Sequence, residues 1–571
     1  MNLTNGSMNS PAGRRSLHSR VAAKGRAGKR VRDRAGAAAF LVVVGWYLLV
    51  YLVVHPLADA QVVDSWIFAH AVEFFRQTGS IRFAGYTQAM PALQVLYGAA
   101  WSRLFGSSAV SLDLSVAILG AIGGLLFYAL ARRCGAAGWS AVLATALLIA
   151  NPCYLFMSFS FMTEIPFLAL LLAAHLAFAQ ARRGTELRWF SVSALAAALD
   201  FMVRPFAAAA IAGSAAAVVI FDRRKRSPEA LRRIAVMLAP FAGGLALCAL
   251  GWIWLTRLNP EPWMLRRSEH KLQQFFNVSP ALYVRAGLIG PMFYLGVVLS
   301  PLALPHLLAA SWRKGLAIGA TLLVAALVLM RLAPGAPATP ELSCFAGWRN
   351  AMLLRGLPNR FSWQDGWTQG PALMLGAFGA AGLVLAALSL ERLPRRAALA
   401  LMLTAGIYWL GIIPLWFFND RYFLVMVPAG CLLLALAPPR EKSGRAIAVA
   451  GVIALGLISI TGVYDHQRGL EAIVAARDAL ERSGVPRGDI DAGYSLNGGD
   501  LYYCCENALA IEQEKLAPQV PMITSGDLAR YTIAGAPMPG TIIRRRISWP
   551  GPFGFGRREL YVLERIPAKN Q

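Results

Sequence analysis

"DAQVVDSWIFAHAVEFF", residues 59–75, follows an apolar run at 36–54 long enough to cross a bilayer, and it carries two carboxylates, Asp59 and Asp64, into an amphipathic segment. Counting from Asp64, Ile67, Phe68, Ala71, Phe74 and Phe75 fall on one helical face, while His70, Glu73 and Gln77 fall on the other. That spacing predicts a helix lying in the membrane interface rather than across it. A second apolar piece, "PALQVLYGAAWSRLFG" at 91–106, is also too short and too flanked to cross, and predicts a second interfacial helix. Together the two roof one mouth of a helical bundle, with Asp64 at the start of the first.

The composition makes that bundle a membrane protein. Of 571 residues, 57% are hydrophobic and 15% charged, with a mean hydropathy of +0.51, which does not describe a water-soluble globule. A net charge of +25 raises nucleic acid as a partner, but the basic residues lie in short clusters between apolar runs, so no nucleic-acid partner is expected. The seven cysteines show no CxxC and no metal-ligand spacing, so neither a disulfide framework nor a zinc site is indicated. Residues 1–35 read as a disordered basic cytoplasmic tail. No small-residue cleavage site follows the first apolar run, which is therefore expected to be a retained span.

The fold class expected is a polytopic α-helical membrane protein of about 13 transmembrane helices. The runs lie near 36–54, 109–131, 138–157, 164–181, 189–203, 205–221, 234–256, 285–308, 315–332, 370–390, 397–417, 421–437 and 446–464. With the N-terminal tail inside, every inner loop is basic: Arg132 and Arg133, Arg182 and Arg183, "RRKR" at 223–226, Arg313 and Lys314, Arg395 and Arg396, and "REKSGR" at 440–445. The short outer connections carry almost no such excess, so one orientation satisfies the whole chain. Residues 36–464 form the transmembrane module, with 55–108 as its first outer loop, and 465–571 are expected to form a small extracytoplasmic α/β domain. In that tail "HQRGLEAIVAARDALERSG" has helical spacing, and "DIDAGYSL", "TIIRRRISW" and "ELYVLERI" read as strands.

Ionisable groups at the edges of the spans are Asp59, Asp64, Asp113, Glu164, Asp200, Arg204, Arg331, Asp420 and Arg421, all at the outer face in this orientation. Each alone can be a helix end reaching water, with acids favoured at N-termini. Their convergence on one face is what the hydrophobic pattern does not force. By the same weighing, His55 and His70 belong to an interfacial surface, since no second ligand stands at metal spacing. Trp252, Trp254, Trp409 and Trp416 read as an aromatic belt, whereas Trp263 and Trp363 in the outer loops suit either a belt or sugar stacking.

Several stretches resemble the C-type superfamily of integral-membrane glycosyltransferases, above all the bacterial relatives of protein O-mannosyltransferases and of the lipid A aminoarabinose transferase. "DSWIFAHAVEFFRQTGSIRF" followed by "MPALQVLYGAAWSRLFG" is similar to that family's first outer loop, with Asp64 ahead of Phe68, then Pro91, and Leu104, Phe105 and Gly106 at the close. "NPCYLFMSFSFMTEIPF" at 151–167 resembles its second acidic site, with Glu164 where Asp is common. "RPF" at 204–206 stands where a basic residue precedes Pro, and "DRYFLVMVPA" at 420–429 resembles its late Arg-Tyr span. Two positions depart from the pattern: Ser65 replaces a frequent Glu, and Gln88 with Ala89 replaces a charged residue.

The resemblance implies transfer of a hexosyl or pentosyl group from a polyprenyl-phosphate donor to an acceptor hydroxyl on the outer face of a bacterial inner membrane. The acceptor is an envelope glycan, lipid or protein. Asp64 is the implied general base, with Asp59 or Glu164 supporting it; Arg204 and Arg421 hold the departing phosphate; and Tyr86, Gln88 and Tyr422 contact acceptor or donor. No metal ligands and no cofactor are assigned, a divalent metal being the alternative kept open. The absence of a GxxxxGK phosphate loop accords with a lipid-linked donor. The competing class is a transporter or flippase of a lipid-linked glycan, which wants its site near the midplane between repeated halves.

Overall fold

The structure is a computed structural model that describes residues 34–56, 58–62, 64–83, 90–222, 228–258, 290–309, 312–332, 366–390, 395–413, 420–439, 441–493, 495–497, 529–551, 554 and 556–566. Tyr86 and Gln88, the "RRKR" cluster, Trp263 and Trp363 lie outside the described residues.

In chain order the helices are α1 (Arg34–Val54), α2 (Ser65–Thr78), α3 (Ala92–Phe105), α4 (Ala109–Cys134), α5 (Gly138–Ile149), α6 (Pro152–Ser158), α7 (Glu164–Gln180), α8 (Glu186–Phe201), α9 (Ala208–Asp222), α10 (Pro228–Leu258), α11 (Gly290–Ala309), α12 (Trp312–Leu332), α13 (Gly366–Leu388), α14 (Arg396–Ile412), α15 (Asp420–Phe423), α16 (Val427–Leu436) and α17 (Lys442–Arg482). Among the described residues six helices are long and apolar enough to cross a membrane, seven if α5 and α6 count as one bent span, and shorter apolar helices lie beside them. The chain is a multi-pass membrane protein.

The apolar run at 138–157 is not one straight helix. α5 and α6 meet at 65° because Pro152 has no amide to continue the ladder, while Asn151 Oδ1 accepts the amides of Cys153 at 2.9 Å and Tyr154 at 3.0 Å and starts a new helix there. Close crossings elsewhere are made by small residues. A Cβ on Gly296 would stand 1.9 Å from the Gly376 carbonyl oxygen, so α11 and α13 touch backbone to backbone.

Two ends of the bundle are chemically distinct. At one end Arg395 donates to the Arg133 carbonyl at 2.9 Å, Arg396 pairs with Asp222 at 3.3 Å, and the Arg445 guanidinium lies 5.0 Å from the centre of the Trp139 ring. The basic ends of α4, α14 and α17 and the Asp222 end of α9 thus lie toward one end of the bundle. Helix α7 opens on Glu164 and is followed by Arg182 and Arg183, so Glu164 belongs to the opposite end.

At that opposite end lie α2 and α3, close to the expected bounds. α2 buries Trp66, Ile67, Phe68, Ala71 and Val72, whereas Phe74 and Phe75 are half-buried; the buried face is rotated toward the helix start, where α3 covers it. The contact is tight at Gly98, whose absent Cβ would lie 2.7 Å from Val72 and 2.6 Å from Phe161.

Helix α17 runs 41 residues, roughly 60 Å at 1.5 Å per residue, without a break at the boundary expected at 464/465; no proline interrupts it. Its far end meets a four-stranded sheet of order β1-β2-β4-β3, formed by β1 (Ile490–Asp491), β2 (Tyr531–Ala534), β3 (Thr541–Pro550) and β4 (Arg557–Arg565). β1 and β2 are parallel and the other pairs antiparallel, with a register shift between Ile543 and Arg545. Asp465 of α17 accepts from Arg558 of β4 at 2.9 Å, fastening sheet to helix. Of the expected strands, "TIIRRRISW" and "ELYVLERI" are present. "DIDAGYSL" keeps two strand residues before Gly493, at φ +89°, turns the chain.

Candidate active site

Each charged group at this end is set by a local feature of the chain. Asp64 occupies the N-cap of α2, yet its carboxylate makes no cap hydrogen bond; it reaches instead to Arg421, whose Nη2 lies 3.2 Å from Asp64 Oδ2. The turn before α2 is closed by Ser65, whose buried hydroxyl accepts the Val62 amide at 2.7 Å and donates to the Val62 carbonyl at 2.6 Å. Ser65, which departs from the family pattern, therefore builds the turn that aims Asp64. Thr163 is likewise an N-cap without a cap bond, its hydroxyl accepting from Arg204 Nε at 2.6 Å.

Arg204 is placed by the proline after it. Pro205 disfavours the α conformation at the preceding residue, and Arg204 is extended, at φ −146° and ψ 129°. α8 therefore stops at Phe201 and the guanidinium turns to Glu164, with Nη2 2.5 Å from Oε1. Arg421 Nε lies 3.5 Å from the same oxygen, and its guanidinium carbon sits 5.6 Å from the centre of the Tyr422 ring. The result is a chain of alternating charge, Asp64, Arg421, Glu164 and Arg204, drawn from α2, α15, α7 and the end of α8.

Exposure sorts these groups. The Glu164 side chain is 2% exposed and the arginines 10% and 11%, whereas Asp64 is 30% exposed. Glu164 is thus the buried keystone between two guanidinium groups, and Asp64 is the carboxylate that can meet an incoming molecule. Glu164 Oε2 is buried and has no hydrogen-bond partner among the described residues. Desolvating four charges is costly even when they pair, so such a cluster marks a functional site better than it marks stability.

Asp59 is not part of this chain of ion pairs. Its Oδ1 accepts the Ala109 amide at 2.9 Å, capping α4, and it lies close enough to the buried Asp113 to feel that charge. On α2, burial pushes the His70 imidazole down to about 4, with Glu73 opposing and Arg82 adding to the shift, so the ring is neutral at neutral pH. No three His, Cys, Asp or Glu side chains come together in a metal-holding group among the described residues.

Two contributors carry no sequence signal. Thr163 looks like an ordinary helix cap. Tyr408, inside the apolar run of α14, is fully buried between Phe167 and Phe206, with ring centroids 6.4 and 5.5 Å away, and its hydroxyl stands within electrostatic reach of Arg204, Tyr422, Glu164 and Arg421.

Residues 93–254 match the family described as dolichyl-phosphate-mannose-protein mannosyltransferase. A search of curated proteins finds no match. Among solved structures, ArnT from Cupriavidus metallidurans is similar in its apo state (13% identity, TM-score 0.43) and bound to undecaprenyl phosphate (16%, 0.42), each over 92% of this chain and 97% of that one. The Saccharomyces cerevisiae Pmt1-Pmt2 complex bound to its sugar donor is similar over 38% of this chain, at 18% identity and a TM-score of 0.32; the match spans 34% of the yeast chain.

Proposed function

We propose that the protein is a glycosyltransferase that moves a sugar from a polyprenyl-phosphate carrier to an acceptor hydroxyl at the outer face of a bacterial inner membrane. The observation that carries this reading is the Asp64, Arg421, Glu164, Arg204 chain at the end of the bundle opposite its basic inner ends. Support also comes from the match of residues 93–254 to a family that uses a lipid-phosphate sugar.

In this reading the acceptor oxygen attacks the anomeric carbon of the donor sugar. The bond from that carbon to the phosphate oxygen breaks, and the electron pair leaves on the polyprenyl phosphate. Asp64 takes the acceptor's proton. Arg204 and Arg421 meet the negative charge that develops on the phosphate, each contributing roughly 3 kcal/mol in a site with little water. Glu164 holds the two guanidinium groups in place before the phosphate arrives. Arg421 Nη2 lies 3.2 Å from Asp64 Oδ2, so a phosphate that engages Arg421 releases Asp64 to act as base. Tyr422, beside Arg421, and Tyr86 and Gln88 in the first outer loop are assigned to contact donor or acceptor.

The test is a deletion strain whose envelope glycans and lipids are profiled beside a strain carrying the gene in trans. The reading expects one sugar missing from an envelope component and its polyprenyl-phosphate form accumulating. The transporter alternative expects that lipid to accumulate on the cytoplasmic face only, where an impermeant periodate treatment of intact spheroplasts leaves it unmodified.

A further inference from the structure

Three other tyrosine hydroxyls among the described residues of this bundle have partners. Tyr154 donates to the Gly120 carbonyl at 2.7 Å, Tyr294 to Asn151 Oδ1 at 3.4 Å, and Tyr47 shares a hydrogen bond with Ser158 at 2.9 Å. Tyr408 differs: it is 1% exposed, and among the described residues its hydroxyl oxygen has no hydrogen-bond partner. A phenol sealed from water without an acceptor forfeits the hydration it had in the unfolded chain. The backbone could have avoided that loss with phenylalanine, since Phe167 and Phe206 already pack the ring.

The hydroxyl is not remote from chemistry. The Tyr408 ring lies 5.5 Å from that of Phe206, two residues after Arg204, and 6.4 Å from that of Phe167, three residues after Glu164, and the hydroxyl is within electrostatic reach of Arg204, Arg421, Tyr422 and Glu164. A phenol offers one proton to donate, and two guanidinium groups beside it have none to accept with. An oxyanion carrying several lone pairs would give the phenol its acceptor while also meeting the two guanidinium groups. A phosphate has non-bridging oxygens enough to take a bond from each arginine and one from the phenol.

We propose that Tyr408 donates a hydrogen bond to a non-bridging oxygen of the substrate phosphate held between Arg204 and Arg421. This rests on the glycosyl-transfer reading and adds to it a neutral donor that no charge pattern announces. The phenol fixes the orientation of the phosphate without adding charge, and it gains its acceptor only when the substrate is bound. The unmet hydroxyl is therefore the counterpart of a bond made to the substrate.

The experiment uses the full-length protein in nanodiscs, with undecaprenyl phosphate and, separately, inorganic phosphate as probes. Tyr408→Phe is compared with wild type and with Tyr154→Phe. Ligand-free Tyr408→Phe should melt at or above the wild-type temperature, because no native bond is lost, while Tyr154→Phe should melt lower. Undecaprenyl phosphate should bind Tyr408→Phe roughly 10- to 100-fold more weakly than wild type, the loss of one hydrogen bond to a charged group. Equal affinity of Tyr408→Phe and wild type, or a melting loss like that of Tyr154→Phe, overturns the assignment and leaves the glycosyl-transfer reading standing. If inorganic phosphate alone reproduces both the binding and its dependence on Tyr408, the hydroxyl role holds and the lipid-donor reading falls. If neither probe binds wild type, both fall together.

Discussion

Removing Arg204 tests whether Glu164 is the keystone of the mouth. Arg204→Met keeps most of the side-chain volume and deletes the 2.5 Å contact to a carboxylate that is 2% exposed. Stripping one partner from a buried pair costs about 3–5 kcal/mol. Here Arg421 still stands 3.5 Å from the same oxygen, which puts the expected loss near the lower end, about 3 kcal/mol. Adding Glu164→Gln removes the stranded charge, so the double variant should regain about 2 kcal/mol of that loss, a coupling of the size seen between touching groups. The assay is reversible unfolding of the two singles, the double and the wild type in mixed micelles, followed by tryptophan fluorescence. Sugar transfer should stay lost in the double, because stability returns and the phosphate partner does not. Additive single losses, with no coupling, would refute a buried Arg204–Glu164 pair.

Asn151→Ala removes the acceptor for the Cys153 and Tyr154 amides at the bend, and a melting scan should report a loss of about 1 kcal/mol. Gly376→Ala places a methyl 2.5 Å from the Phe293 ring and 3.1 Å from its carbonyl oxygen, so α11 and α13 must part; about 1–3 kcal/mol should be lost, and unchanged unfolding would contradict the close crossing. The His70 imidazole is pushed from its usual 6.5 down to about 4 by burial. The stability it confers is fully present above pH 6.5 and fades as pH falls toward about 4, because the unfolded ring takes its proton first. Hydrogen exchange over residues 65–78, corrected for intrinsic rates, should rise across that window in wild type and not in His70→Leu.

What could be read before the structure and what could not divide along a physical line. Apolar helices are written in periodicity and composition, which are local: six, or seven with the bent pair, are long enough to cross a membrane among the described residues where about thirteen spans were expected, and α2 and α3 appear within a residue or so of the expected bounds. Asp64, Glu164, Arg204 and Arg421 stand out because charge at a membrane edge is expensive wherever it sits. Their pairing is another matter: Arg421 and Asp64 are 357 residues apart, and no periodicity encodes such a contact. Asp59 drew the same notice as Asp64 because both are acids in one loop; only the Ala109 amide shows that one of them is a cap. Tyr408 was illegible because an aromatic in an apolar run is ordinary core, and only its surroundings reveal a hydroxyl without an acceptor.

Asp64→Asn offers the most direct trial of the proposed chemistry. Its side chain is 30% exposed and makes no cap bond, so the substitution should leave folding within about 1 kcal/mol of wild type. The quantity to measure is release of polyprenyl phosphate from its sugar-linked form by membranes from the deletion strain that carry either protein at equal levels. Loss of general-base catalysis predicts release slowed by about 100-fold or more in Asp64→Asn. Release at the wild-type rate, from a variant shown to be folded and inserted, would remove Asp64 from the reaction.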